Sequence, residues 1–195
     1  MKRALLALTL VAAPAAAKPL PTLTWTGTAR VYDADRTIEI AVDTRVDPFA
    51  TAQSCSWIVS EGPARARTMV LTPTTGTVSF LGKSRTLSAA QATHERAQFA
   101  LYGLMLTTHA RGRCVLARHR GAPDTRLCFD AASRLVSGSN TVPDSETGAP
   151  LPQTFEFSGS LRSGGMHWPR VLRIQHGGKP YLDLTLDSFA ADPAK

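Results

Sequence analysis

The histidines, acidic residues and cysteines are the side chains of this chain that could carry out chemistry. His94 and Glu95 begin an H-E-x-x-H pattern, in which a second histidine would let two imidazoles one helical turn apart bind zinc. The position of that second histidine is occupied by Gln98, and an amide oxygen is a poor zinc ligand beside imidazole or thiolate. The remaining histidines show no ligand spacing. We therefore expect no metal site and no cofactor.

The same segment carries a polar stripe. On helical spacing His94, Gln98 and Tyr102 fall in one row, with Glu95 beside it. His94, Glu95 and Gln98 could form the polar rim of a pocket, or could bond to nearby backbone and hold the helix in place. An acid–base pair of His94 with Glu95 is disfavoured because adjacent residues diverge by about 100° around a helix. We assign no catalytic residue.

Three cysteines are present: Cys55, Cys114 and Cys128. The last two lie symmetrically about a Gly-Ala-Pro turn, so a hairpin could place them opposite each other and allow a disulfide. A register shifted by one residue, with Leu116 opposite Leu127, fits the apolar pattern as well. Cys55 would remain unpaired, and an isolated cysteine is more often a small buried hydrophobe than a nucleophile.

Residues 1–17 have the layout of a secretory signal peptide. Lys2 and Arg3 precede an apolar run, which ends in an alanine-rich cleavage site. No later stretch approaches the roughly 20 apolar residues that a membrane-spanning helix requires. We expect export to the periplasm or the medium, with residues 18–195 forming a single domain.

The formal net charge of +7 raises the question of an acidic partner. Nucleic-acid binding would need stacking aromatic residues or a known module beside the basic patch, and neither is evident. We therefore expect no nucleic-acid partner. The patch is a solvated face or contacts an anionic membrane surface. Its members are Arg111, Arg113, Arg118, Arg120 and Arg126.

The elements that position these residues are one helix and many short strands. The segment from Ser88 to Ala110 has the pattern of a long helix, in which Ser88 and Gln91 form a capping box and Gly112 acts as the stop. Its second half is apolar almost all round, which is typical of a helix buried on every side. We expect sheet to enclose that half, and the first half to reach a rim or solvent.

The hairpin over residues 25–45 is defined by its alternating pattern. Pairing Ala29 with Ile40 and Gly27 with Val42 places the apolar set on one face, and a slip by one residue would turn that set into water. We expect the small side chains of Gly27 and Ala29 to leave room above the sheet for the helix or a ligand.

The C-terminal hairpin is defined in the same way. A three-residue loop over 177–179, with a glycine bulge, would set Ile174 against Leu182 and match apolar to apolar residues. The polar stretch 137–152 is interpreted as a long loop, which is either a functional flap or a surface excursion.

These elements predict a mainly β (α+β) fold, a single strongly curved antiparallel sheet or half-barrel of about ten strands wrapped around one long helix. The space between sheet and helix could hold an apolar ligand such as a lipid or acyl chain. The aromatic residues facing it could equally be ordinary core. The expected lining residues are Trp25, Trp57, Phe99, Tyr102, Met105 and Trp168.

Three C-terminal stretches carry a family resemblance: FEFSG (155–159), GGMHWPRVLRI (164–174) and GKPYLDLTLDSF (178–189). Their succession of strand, Gly-Gly turn, x-Pro strand and glycine hairpin resembles the end of periplasmic lipoprotein-carrier (lipoprotein-localisation factor) domains. That resemblance implies an incomplete barrel whose helix-covered concave face takes up acyl chains. This chain differs from the family because a strand, not a helix, follows the signal peptide. The arginine associated with lipoprotein binding in the family has no matching position here.

The leading hypothesis is therefore an exported protein that binds or carries an apolar ligand. Because a fold does not determine function, two alternatives stay open. The first is a structural or interaction module of the cell envelope, in which a strand edge or the long loop contacts an envelope protein. The second is an exported hydrolase. The oligomeric state is left open.

Overall fold

The computed structural model describes residues 20–33, 36–49, 53–59, 66–80 and 82–192. Within these ranges the regular elements are strands and a single helix. Residues 53–59, 66 and 67 are described by their backbone alone. The predicted signal peptide, the turn of the first hairpin and the side chain of Cys55 lie outside this description.

Fourteen strands occur in these ranges, where the sequence predicted about ten. The difference comes from the polar strand β6 and from division of the C-terminal segment into shorter strands. In chain order the elements are β1 (Thr22–Asp33), β2 (Arg36–Val46), β3 (Gln53–Val59), β4 (Ala66–Leu71), β5 (Gly76–Phe80), β6 (Lys83–Thr86), α1 (Ala89–Thr107), β7 (Cys114–Ala117), β8 (Thr125–Phe129), β9 (Leu135–Pro143), β10 (Pro150–Ser158), β11 (Leu161–Ser163), β12 (Met166–Trp168), β13 (Val171–His176) and β14 (Lys179–Asp192).

Twelve of the strands form one antiparallel sheet, in the order β6, β5, β4, β3, β2, β1, β14, β13, β10, β9, β8, β7. Two meanders are thus joined where the first strand pairs with the last. The edge strands β6 and β7 flank α1 in the chain, so the helix connects opposite edges of the sheet and must cross its concave face. The predicted fold class is confirmed: one curved antiparallel sheet lies around one long helix.

The register of the first hairpin is as the sequence predicts, with Ala29 opposite Ile40 and Gly27 opposite Val42. The expected role of Gly27 is wrong. A Cβ added at Gly27 would lie 2.2 Å from the carbonyl oxygen of Thr185, at the point where the β1–β14 register shifts. Glycine is needed there because β14 approaches the backbone closely, so Gly27 does not leave room for a ligand.

The C-terminal hairpin combines a short turn with a bulge. Ile174 is opposite Leu182, as predicted, but the turn itself is Gly177-Gly178 with His176 opposite Lys179. Both glycines have positive φ, which suits a two-residue hairpin turn. The register shift after Ile174 then restores the apolar pairing, so the extra residue lies in the strand and not in the loop.

The prediction of a long loop over 137–152 is wrong. Most of this stretch belongs to β9 and β10, which pair from Pro143 opposite Pro150 onwards. The turn between them is held by Asp144, whose side chain accepts hydrogen bonds from the backbone N–H groups of Glu146 and Thr147. The polar composition of the stretch indicated a loop. Polar residues are equally compatible with strands whose outer face is in water.

The helix begins as predicted and ends earlier. The Ser88 side chain accepts from the Gln91 backbone while the Gln91 side chain accepts from the Ser88 backbone, which is a complete capping box. The last helical residue is Thr107, and Gly112 is not the stop. The Thr107 hydroxyl donates to the Gly103 carbonyl, and Thr108 is extended. Thr107 and Thr108 are both β-branched, which lowers the helix propensity at this point, and the helix ends there without glycine.

The second half of the helix is buried as predicted at Phe99, Leu101 and Leu104, and two parts of the helix differ from the expectation. His94, in the half expected to reach a rim, is buried among the strands. Met105 and Leu106, in the half expected to be enclosed, are only half-buried. The C-terminal end of α1 therefore faces open space, and the N-terminal half covers the sheet closely.

Candidate functional site

The edge hairpin β7–β8 carries the predicted disulfide. Cys114 is directly opposite Cys128, and their sulfur atoms are 2.01 Å apart. Leu116 pairs with Arg126, so the alternative register is not adopted. The disulfide joins β7, which is the last strand at one edge of the sheet, to its neighbour β8. Both strands follow α1 in the chain.

Several of the predicted ligand-lining aromatics form one aromatic cluster. Trp25 meets Tyr102 edge-on at 4.8 Å between ring centroids and stacks with Trp168 at 6.5 Å. Phe99 contacts Tyr102, and Phe189, which the sequence did not single out, stacks on Trp168 at 4.9 Å. The backbone of Trp57 pairs with Val42 of β2, and its side chain is outside the description.

The aromatic cluster leaves little free space. The gap bounded by Trp25, Tyr102 and Trp168 measures about 10 Å³, which is close to the minimum that holds one water molecule. Around this aromatic cluster the space between helix and sheet is therefore filled by side chains, and a ligand of lipid size does not fit in the gap.

A much larger cavity of about 770 Å³ opens at the C-terminal end of α1. Its volume lies within the range of small-molecule sites. We call it the helix-end cavity. Its three walls are the end of α1, the turn between β8 and β9, and the hairpin β11–β12. Its lining residues are Met105, Leu106, Thr108, His109, Phe129, Ala132, Ser133, Arg134, Leu135, Gly159, Ser160, Arg162, Gly164, Gly165, Met166, His167, Trp168 and Pro169.

The helix-end cavity includes two of the predicted ligand residues, Met105 and Trp168. Sequence reasoning missed the basic residues in its walls, which are Arg134, Arg162 and the histidines at 109 and 167. A signal was present, since Ser160, Arg162 and Gly164 alternate before a Gly-Gly turn. This alternation places them on one face of a strand, but nothing in the chain indicates which face meets the helix.

The hairpin β11–β12 is a rigid wall. Gly164 and Gly165 form its turn with φ values of 55° and 80°, a conformation that favours glycine. The Ser163 hydroxyl accepts a hydrogen bond from the Ala191 backbone N–H at 3.1 Å, which ties the hairpin to β14. Arg162 and His167 are directly opposite each other, so their side chains lie on the same face.

The predicted polar rim lies elsewhere, at the N-terminal half of the helix. His94 is 2% exposed, and its Nδ1–H donates to the carbonyl of Pro143 at 2.8 Å. Its Nε2 is therefore an acceptor, and the Gln98 side chain donates to it at 3.3 Å. Glu95 is half-buried beside them. None of these three residues lines the helix-end cavity.

His176 completes this polar cluster from β13. Gln153 donates to His176 Nε2, and the ring stacks on Tyr181 at 3.7 Å. Burial, with a further contribution from His94, lowers the pKa of His176 to about 4, while Asp144 acts in the opposite direction. Through these hydrogen bonds the two histidines join the helix to the sheet.

In the described ranges, no three histidine, cysteine, aspartate or glutamate side chains come together as a metal site. No helix in those ranges is both long and apolar enough to cross a bilayer.

The fold and the helix-end cavity together define the class of protein: an open antiparallel half-barrel with a helix across its concave face and a cavity at one end. No protein-family model matches the sequence, and no curated protein matches it. Among solved structures the chain is similar to a LolA superfamily protein from Nitrosomonas europaea, at 12% identity and a TM-score of 0.53, over 91% of this chain and 89% of that chain.

Two other solved structures are similar over a comparable length. One is a DUF1329 family protein from Desulfovibrio piger, at 8% identity and a TM-score of 0.49, over 90% of this chain and 88% of that one. The other is LprF from Mycobacterium bovis, at 15% identity and a TM-score of 0.31, over 90% and 88%. The resemblance to the lipoprotein-localisation factor fold is confirmed, at the level of the fold, by the LolA superfamily structure.

Proposed function

We propose that this chain binds a lipid or acyl chain in the helix-end cavity and carries it in the cell envelope. The observation that carries the proposal is the cavity itself, about 770 Å³ between the end of α1 and the hairpin β11–β12. The gap beside the aromatic cluster, at about 10 Å³, is far smaller. Burial of an apolar chain against these walls supplies the driving force for binding.

The chemistry of the walls supports an apolar ligand. Met105 and Leu106 are half-buried at the end of the helix, so a ligand would cover apolar surface that is now in water. Phe129, Met166 and Trp168 extend this surface across the two other walls. Location in the envelope rests on the signal-peptide pattern of residues 1–17.

The test is native mass spectrometry of gently purified mature protein, followed by titration with dodecanol. We expect a co-purified lipid, or uptake of dodecanol into the lipid-free protein. Leu106→Arg should abolish binding because it places a charge in the apolar wall. Leu116→Arg is the matched control, since Leu116 is 51% exposed on β7, outside the cavity.

Circular dichroism and the melting temperature establish that both variants fold. A folded wild-type protein that carries no lipid and takes up no dodecanol would contradict the proposal. Equal binding by Leu106→Arg and wild type would place the ligand elsewhere.

The second candidate function is an interaction module of the envelope. It is favoured by β7, which ends the sheet of the described residues and exposes Leu116 beside Arg118 and Arg120. A partner strand could pair with such an edge. A pull-down that retains one stoichiometric envelope protein, without lipid, and that is lost in Leu116→Arg would support this function.

A further inference from the structure

We infer that the ligand of the helix-end cavity is an amphiphile with an anionic head group, a carboxylate or a phosphate, held by Arg162 and His167. This inference rests on the proposed function, because it names the ligand class of the same cavity. It depends on the charge of the walls, on the direction of two side chains and on the separation of polar from apolar surface.

The ionisable side chains that line the cavity are all basic. Arg134 and Arg162 line it together with two histidines, and no aspartate or glutamate does. Arg134 is already paired with Asp130 at 2.8 Å. Within the described ranges no carboxylate lies in ion-pair distance of Arg162. An uncompensated guanidinium beside an apolar wall attracts an anion.

Arg162 and His167 both line the cavity. They are directly opposite each other in the hairpin, so their side chains lie on the same face of it. The guanidinium and the imidazole stand side by side at one wall.

The imidazole is oriented by a neighbouring hydroxyl. The Ser160 hydroxyl lies 3.1 Å from His167 Nδ1 and 3.5 Å from the Leu161 carbonyl oxygen. The hydrogen bond at Nδ1 holds the ring at the wall beside Arg162. A guanidinium and an adjacent N–H together match the two oxygen atoms of a carboxylate or phosphate.

The two anion-binding residues lie on β11–β12, and much of the apolar lining comes from other elements. Met105 and Leu106 come from the end of α1, and Phe129 comes from β8. A head group held at β11–β12 thus places its chain against the helix end. The turn glycines and the Ser163–Ala191 hydrogen bond keep the hairpin in register, so the two donors are positioned before a ligand arrives.

The test compares dodecanoate with dodecanol at neutral pH and low salt, below micellar concentrations, by titration calorimetry. We expect wild type to bind dodecanoate roughly three- to tenfold more tightly, as for a solvent-exposed ionic contact. Added salt should reduce this difference. Arg162→Gln should remove it. Arg173→Gln, the same charge change at a residue paired with Glu156 outside the cavity, should keep it.

The possible outcomes separate the two proposals. Equal affinity of wild type for dodecanoate and dodecanol would overturn the head-group inference and leave the apolar cavity standing. Binding of neither ligand would overturn the proposed function as well. Dodecyl phosphate in a parallel titration shows whether phosphate is preferred over carboxylate, and a preference for either supports the inference. Displacement of dodecanoate by inorganic phosphate at similar concentration would overturn it, because the site would then recognise a free anion.

Discussion

Acidification should weaken the junction between the helix and the sheet, through His176. Its ring lies between Gln153 and Tyr181 and faces His94 of α1. Lys179, directly opposite on β14, is a further cation beside it. Protonating this ring would therefore bury a positive charge next to other basic groups. Burial first, and His94 second, lower the pKa of His176 from 6.5 to about 4.

The sign of the effect follows from proton linkage. The unfolded chain takes up a proton on this side chain near pH 6.5, and the folded chain does so only near pH 4. Between these values the unfolded state binds more protons, so stability falls as the pH falls. The contribution of His176 to stability is fully present above about pH 6.5 and is lost progressively as the pH falls towards about 4.

The magnitude follows from the two pKa values. One pKa unit corresponds to about 1.4 kcal/mol. The lowering of the pKa from 6.5 to about 4 therefore corresponds to roughly 3 kcal/mol of folding free energy. Part of the ring is accessible to solvent, and water screens the charge there. We discount the effect accordingly to about 1–2 kcal/mol.

The assay is urea unfolding near neutral pH and again near the lower end of this interval, for wild type and His176→Gln. Glutamine keeps an acceptor for Gln153 and cannot be protonated. We expect wild type to lose about 1–2 kcal/mol more than His176→Gln on acidification. His109→Gln, at an exposed histidine, is the control and should behave as wild type. Equal acid losses in wild type and His176→Gln would refute the reasoning. The aspartates at the β-turns are present in all three proteins, so their contributions cancel.

Three further predictions concern stability, each measured as the free energy of unfolding in urea. Removing the disulfide by Cys114→Ala with Cys128→Ala should cost about 3 kcal/mol, because the bridge spans a sequence separation of 14; an unchanged midpoint would contradict this. Leu104→Ala should cost about 2–5 kcal/mol because Leu104 is 1% exposed. The control Leu116→Ala should stay within about 0.5 kcal/mol. Similar losses in the two variants would mean that Leu104 is not packed in the core. Gly27→Ala should cost about 1–3 kcal/mol, since the new methyl group would meet a β14 carbonyl at 2.2 Å, and a neutral result would show that the strand can shift.

Local patterns account for the parts of the fold that were predicted correctly. The register of β1 with β2 follows from alternation, because only one pairing buries Ala29 and Ile40 together. The disulfide follows from the symmetric placement of its cysteines about a turn. The helix start follows from Ser88 and Gln91, which satisfy each other's backbone groups. Each of these features depends on residues close together in the chain.

The candidate site could not be predicted in this way. The helix-end cavity draws its walls from three separate segments, around Met105, around Phe129 and around Arg162. Whether an interior is filled or open depends on how side chains from distant strands interdigitate. Of the aromatic residues expected to line a ligand site, Trp168 lines the helix-end cavity, and Trp25 and Phe99 are buried in the core.

The amino-acid sequence by itself determined a mainly β chain with one capped helix and the register of its first hairpin, because periodicity, turn residues and caps act over a few residues. It allowed the disulfide at one edge, and the structure selected the register that forms it. The tertiary structure alone decided that His94 is buried, that Gly27 is a close-approach glycine and that the open space lies beyond Leu106. Those outcomes depend on which strands meet across the sheet, and twelve strands in one order bring together residues that no local pattern connects.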